Sequence, residues 1–373
     1  MRRLYPCVPG NGHGGARRWP GSWRMGGGPG VRRWAAAVAG IMTVGVLAAC
    51  GGSPAPGSGL SITLYNGQHV QTAESMISGF ERATGITVSV RSDDEDVLAD
   101  QIVTEGSSSP ADVIWTENSP ALEYLQGKGL LAKVDASTLA RTPARYSSPD
   151  GDWVGVSARV SVLTYDPKLI ARSQLPTSVL QLASPRYRGK LAIAPAETDF
   201  QPIVTAVMRR YGRAQALRWL QGIEANAAGH VYPDNETIAD QVNRGGAAFG
   251  LINQYYWYRM RAEIGASKVH SQIAPLAPGD PGYVIDVSGA AVLKSSRHQA
   301  AAQKFLAYLV SKAGQEVIAN PAKSISYEYP IASGVTTLAP EMPFDQLRPY
   351  PITIAELGDG AAAIALLKQA GLL

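Results

Sequence analysis

The sequence predicts an α/β protein of two lobes joined by β-strand crossings, on three observations. Short β-branched runs alternate with amphipathic stretches between residues 61 and 129, the pattern of successive βα units. A second such set lies between residues 191 and 253. Two β-rich stretches, 153–165 (WVGVSARVSVLTY) and 283–293 (YVIDVSGAAVL), exceed an ordinary strand and can each leave one sheet for another. Crossings so far apart in sequence make a hinge. At 373 residues the chain suffices for two domains or one large bilobal one.

Each element has a local reason. Residues 61–66 (SITLYN) form a β-rich run bounded by Gly67, and 72–84 read as a helix with Met76, Ile77 and Phe80 on one face and Gly85 as its stop. Residues 86–90 are the next strand, and an acidic-started helix runs from about 94 to 105. Residues 110–115 (PADVIW) make a third strand, followed by a helix near 120–125 that Gly127 and Gly129 end. This spacing predicts a largely parallel sheet. In the second set, 191–194 and 250–253 are strands, with helices near 201–211, 214–225 and 237–244. Helices near 299–310 and 361–369 close the chain. The expected division is one lobe of residues 61–160 with 285–335 and another of 161–284 with 336–373.

Charge is unevenly placed. Residues 1–49 hold seven arginines and no Lys, Asp or Glu; without them 27 basic face 30 acidic residues, so the remaining chain is mildly acidic. General nucleic-acid binding is thereby disfavoured. A hydrophobic share of 45% and a mean hydropathy of −0.05 suit a soluble globular body. Arg32-Arg33 precedes an apolar run too short to span a bilayer, ending Leu47-Ala48-Ala49-Cys50. That ending resembles a bacterial lipobox. It implies a signal peptide of residues 1–49 and a lipid on Cys50 that anchors the protein to the outer face of the cytoplasmic membrane; the Gly/Arg/Pro-rich start resembles no signal, so translation is expected to begin at Met25. Residues 50–60 are the lipidated cysteine and a Gly/Ser/Pro tether. With Cys7 in the discarded part, no disulfide pair remains.

The candidate chemistry lies at strand ends. In Asn253-Gln254-Tyr255-Tyr256-Trp257-Tyr258 an apolar strand gives way to two adjacent phenols, which reach one point where a strand meets a helix start. The run reads either as the aromatic edge of a core or as a pair of hard oxygen donors, whose pKa of about 10 only a strongly charged cation would overcome at neutral pH. His69 follows the first strand and Glu117 the third, each where α/β proteins place ligand groups. Alone, His69 reads equally as a structural histidine, and Glu117 as a helix N-terminal acid. Together one imidazole, one carboxylate and two phenolates carry a formal −3, which matches Fe(III) better than Zn or Mg.

The spans YNGQH (65–69), PADVIWTE (110–117), NQYYWY (253–258) and SGAAVLK (288–294) resemble the bacterial ferric-ion-binding proteins, the transferrin-like solute receptors of iron ABC importers. The resemblance runs from about residue 61 to the C-terminus. It implies a bilobal periplasmic-binding-protein type II fold, a monomer that performs no catalysis, and delivery of iron to a membrane permease with its ATPase. By match it makes His69, Glu117, Tyr255 and Tyr256 the iron ligands, and places Asn235 and Asn253 where amides hold a synergistic anion such as phosphate, carbonate or citrate. The chain departs from the family where a Ser-Gly-Ala helix start would cradle that anion, since Glu197-Thr198-Asp199 stands there instead. The expectation is that Asp199, or else Glu197, replaces the anion as a protein ligand; both also read as helix N-terminal acids. Ser161 stands where related receptors often carry a second arginine after Arg159. The alternative function is an ABC receptor for an organic solute of the thiamine, polyamine or phosphonate type. A hydrolase is disfavoured because the chain beyond residue 50 has no G-x-S-x-G, H-E-x-x-H or catalytic cysteine.

Overall fold

The computed structural model of the chain describes residues 59–373. The leader, Cys50 and most of the tether lie outside the described residues. The body opens with β1 (Ser61–Asn66), α1 (Val70–Thr84), β2 (Thr87–Ser92), α2 (Glu95–Glu105), β3 (Val113–Thr116) and α3 (Pro120–Gly127). A short α4 (Ala136–Leu139) leads to the 12-residue β4 (Val154–Tyr165). Then come β5 (Leu191–Ala192), α5 (Phe200–Tyr211), α6 (Arg213–Asn226), α7 (Asn235–Asn243), β6 (Phe249–Asn253), α8 (Gln254–Ile264) and β7 (Gln272–Ala274). β8 (Ile285–Val292), α9 (Gln299–Leu309), α10 (Lys312–Ala319), β9 (Tyr329–Pro330), α11 (Ile354–Leu357) and α12 (Ala361–Gln369) complete the body. Among the described residues no helix is long and apolar enough to cross a membrane.

α1 buries Ala73, Met76, Ile77 and Phe80, the stripe its spacing dictates, and ends at Gly85, whose φ of 70° is the left-handed cap that glycine adopts without a Cβ clash. Phe80 meets Phe305 of α9 edge to face at 5.0 Å, above a cluster that includes Ile62, Leu64, Trp115 and Val154. Each such side chain contributes roughly 1.5–3 kcal/mol of burial. A larger cluster, including Leu163, Leu191, Ile203, Trp219 and Phe249, fills the region where α12 packs on α5 and α6 and continues to Leu98, Ile114 and Leu122 of α2, β3 and α3.

The strand order is β2-β1-β3-β8-β4-β6-β5, with β7 and β9 also on β4. The sheet is mixed rather than largely parallel. β1–β2, β1–β3 and β5–β6 are parallel, whereas β8 runs antiparallel to β3 and β4, and β6, β7 and β9 run antiparallel to β4. Helical crossovers enforce parallel neighbours. β4 instead carries the chain out of the first sheet, and β8, which pairs only within that first sheet, runs opposite to it. β4 is buried along its whole length and pairs with β8 through residues 154–160 and with β6 through residues 161–165. It therefore passes from one half of the fold to the other, as its length predicts.

Candidate metal centre

Each proposed donor is delivered by a strand end. β1 stops at Asn66, the chain turns over Gly67, and His69 caps α1. A Cβ on Gly67 would lie 2.7 Å from the Glu95 Cβ, so only glycine lets the loop cross the first turn of α2. The His69 amide donates to Gln68 Oε1 at 2.7 Å, which sets the turn. Glu117 leaves the end of β3, and its own amide and that of Asn118 donate to Glu95 Oε2 at 2.6 and 2.8 Å. Tyr255 and Tyr256 occupy the first turn of α8, directly after β6, with ring centroids 4.1 Å apart and planes tilted by 32°. Gln254 fixes that turn: its Oε1 accepts the Val160 amide at 2.8 Å, where β4 changes partners, and its Nε2 donates to the Tyr327 carbonyl at 3.1 Å.

The four donors converge. His69 Nε2 lies 2.8 Å from Glu117 Oε1 and 3.3 Å from the Tyr255 hydroxyl. The same Glu117 oxygen accepts from the Tyr255 hydroxyl and, at 3.2 Å, from that of Tyr256. Two donors at about 2.0–2.1 Å from one ion and at right angles to each other are about 2.9 Å apart, so these separations suit neighbouring corners of an octahedron around a small hard cation. They are hydrogen-bond separations too, so protons and a cation compete for one set of atoms. Among the described residues no three His, Cys, Asp or Glu side chains gather as a metal-holding group, which leaves the phenols indispensable to a cation site here. His69, Glu117 and Tyr256 open onto a cleft of about 440 Å³, whose walls also carry Asp93, Asp94, Asp234 and Glu236 against the single cation of Arg259, a lining that attracts cations.

Glu197 extends this ring and Asp199 supports it. Glu197 Oε1 accepts from the Tyr256 hydroxyl at 3.0 Å, and its Oε2 accepts from the Asn235 amide at 2.7 Å and from the Asn235 side chain. Asp199 instead has both oxygens on amides, Oδ1 on Asn118 Nδ2 at 2.9 Å and Oδ2 on Asn235 Nδ2 at 2.8 Å. The sequence reading ranked Asp199 first; the geometry puts Glu197 beside the phenol. Asn235 thus holds two protein carboxylates, while Asn253 lines a small cavity next to Asp199. Ser161 ties strands together, donating to the Gly282 carbonyl at 2.7 Å and accepting from the Val284 amide at 2.9 Å.

A model of the bacterial extracellular solute-binding protein family matches residues 66–316. The Fe(3+)-binding periplasmic protein of Serratia marcescens is 35% identical over 322 residues, covering 86% of this chain and 94% of its own. The major ferric iron-binding protein of Neisseria meningitidis is 37% identical over 313 residues, or 83% of this chain and 93% of its own. The crystal structure of iron-bound HitA from Pseudomonas aeruginosa aligns with a TM-score of 0.80 at 39% identity, covering 84% of this chain and 100% of that one. The chain belongs to the bacterial ferric-ion-binding protein family. Its bilobal α/β fold is that of the family, and it is a solute-binding protein rather than an enzyme.

In this member of the family, burial and charge sort the acids. Burial pushes Glu117 up, but the imidazole of His69, the guanidinium of Arg159 and the Tyr255 hydroxyl outweigh it and hold the carboxyl far below its usual range. Burial, then the Glu117 charge, pushes Asp199 up to about 7. Glu197 rises well above its ordinary value through burial and the charges of Asp199 and Glu117. Burial, then Asp199 and Glu117, drives both phenols well above 10. Buried Glu95 is pushed up to about 8 by desolvation and by Glu117.

Sequence reasoning missed the layer beneath. Glu95 read only as part of an acidic helix start, and nothing local marked Glu328 or Gln254. Arg159 and Glu328 are both fully buried and paired at 3.1 Å, with Arg159 3.8 Å from Glu117 and 5.6 Å from the Tyr255 ring centre. Ser157 and Gln68 also donate to Glu328. Removing one partner of a buried pair strands the other charge. Arg159→Met therefore lowers unfolding stability by about 3–5 kcal/mol in urea titrations, and adding Glu328→Gln restores much of the loss.

Proposed function

We propose that this protein is a lipid-anchored extracytoplasmic receptor that captures ferric iron in the cleft between its lobes and delivers it to an ABC importer. The convergence of His69, Glu117, Tyr255 and Tyr256 is the observation that carries this reading. Residues 61–160 with 285–335 form the lobe that brings His69 and Glu117. Residues 161–284 with 336–373 form the lobe that brings both tyrosines. A tripositive ion displaces the phenolic protons, joins donors from both lobes and so favours the closed arrangement. Arg259 of α8 stands at the same seam, 3.3 Å from Gln71 on α1 and 3.4 Å from Glu236 on α7. The lipid on Cys50 keeps the receptor, a monomer, at the membrane beside the permease and ATPase that accept the iron.

The test is visible absorption after ferric citrate is added to the purified protein. A phenolate-to-iron charge-transfer band develops, and unfolding shifts upward, by about 4 kcal/mol at a thousandfold excess over Kd. A colourless mixture with unchanged stability would overturn the reading.

A further inference from the structure

Glu95 lies outside the donor set, yet three hydrogen bonds tie it to the turn that delivers Glu117. We propose that Glu95 is a positioning residue for Glu117, holding its carboxylate at the separation from His69 at which both meet one metal ion. This rests on the iron-binding reading above. Glu95 opens α2 and is 3% exposed. An acid in the first turn ordinarily faces the free amides of its own helix. Here Oε2 accepts instead from the Glu117 amide at 2.6 Å and the Asn118 amide at 2.8 Å, and Oε1 accepts from Asn118 Nδ2 at 3.2 Å. The two amides lie just past Thr116, where the pairing of β3 with β8 ends, and among the described residues Glu95 is the one acceptor they have. One buried carboxylate thus replaces the strand ladder at the point where the Glu117 side chain leaves it.

The same residue braces the His69 loop. Gly67 crosses Glu95 so closely that a Cβ on it would lie 2.7 Å from the Glu95 Cβ. The Gly67 N–H in turn donates to the Trp115 carbonyl at 2.8 Å, two residues before Glu117. The turns carrying His69 and Glu117 are therefore fixed to each other by a backbone bond, and to Glu95 by packing on one side and hydrogen bonds on the other. The 2.8 Å separation of His69 Nε2 from Glu117 Oε1 is the product of that frame. Without the Glu95 acceptor, two amides lose their partner and the turn rearranges to find another. Supports of this kind set the precision of a metal site, because a donor displaced by about 1 Å no longer completes the coordination geometry.

The experiment titrates ferric nitrilotriacetate into the wild-type protein and its variants and follows the phenolate band. Glu95→Ala weakens iron binding by roughly 10–100-fold and moves the band maximum toward that of Glu117→Ala. In the Glu117→Ala background, the same substitution changes affinity by no more than about twofold, since the group it positions is gone. An equal loss with and without Glu117, or no loss in either, would overturn the proposal. Two milder variants decide the matter even if Glu95→Ala does not fold. Glu95→Gln keeps the reach and drops the charge, whereas Glu95→Asp keeps the charge and withdraws by one methylene. Positioning makes Glu95→Gln the tighter binder of the two; the reverse order would assign Glu95 an electrostatic role and overturn the proposal. In each case a coloured wild-type complex leaves the iron-binding reading standing, whereas absence of colour in every protein defeats that reading first.

Discussion

The double variant Tyr255→Phe/Tyr256→Phe remains folded and colourless when ferric iron is added. Each substitution deletes one oxygen and leaves the ring, so the packing of the two rings at 4.1 Å is preserved. What disappears is the pair of anions that a tripositive ion recruits, and with them the only source of a phenolate-to-iron transition at this centre. Loss of even an outer-shell partner weakens metal binding by about 10–100-fold, so losing two direct donors weakens it by at least about 1,000-fold. The single variants keep a weaker band with a shifted maximum. Glu117 loses a hydroxyl donor with either substitution, and Glu197 with that at Tyr256, so unfolding stability falls by about 1–3 kcal/mol at most. Circular dichroism separates that small loss from the loss of iron. A double variant that still colours would remove the tyrosines from the centre.

Iron affinity falls steeply on acidification. Both phenols are pushed well above 10 and Glu197 well above its ordinary value, so at neutral pH these groups hold protons until the metal arrives. Groups with raised values release protons on binding, which makes binding stronger as pH rises and weaker as it falls. Glu117 is held low and releases none near neutrality. Each proton released changes the constant by about tenfold per pH unit, so the two phenols alone give about 100-fold per unit. Glu197 steepens this below its own raised value. Competition against a chelator of known protonation behaviour, between about pH 6 and about pH 8, measures the slope. A flat profile after correction would mean that the donors bind already deprotonated, or do not bind at all.

Local chemistry made several elements readable in the chain. The apolar stripe of α1 and its glycine stop follow from a 3.6-residue period, and α12 spans the residues, 361–369, that its pattern marks. The length of β4 marked it as able to change sheets, and it does so between residues 160 and 161. His69, Glu117 and the tyrosine pair stood out as candidates because strand ends in α/β proteins are where side chains leave the sheet, and the structure brings the four together. The antiparallel sense of the hinge strands was not legible, since strand direction depends on partners more than a hundred residues away. Segments such as β9 and α11 were missed because two to four residues carry no period to read.

By itself, then, the sequence determined most of the longer elements and put the candidate donors at strand ends, because periodicity and residue chemistry are local properties. Only the tertiary structure decided that Glu197 rather than Asp199 reaches Tyr256. That choice depends on Asn235, 38 residues further along the chain, and on Asn118, 81 residues before Asp199, which together hold both oxygens of Asp199. It likewise decided that the Arg159–Glu328 pair lies beneath the centre, because a buried charge finds its partner across space and leaves no mark in the residues beside it.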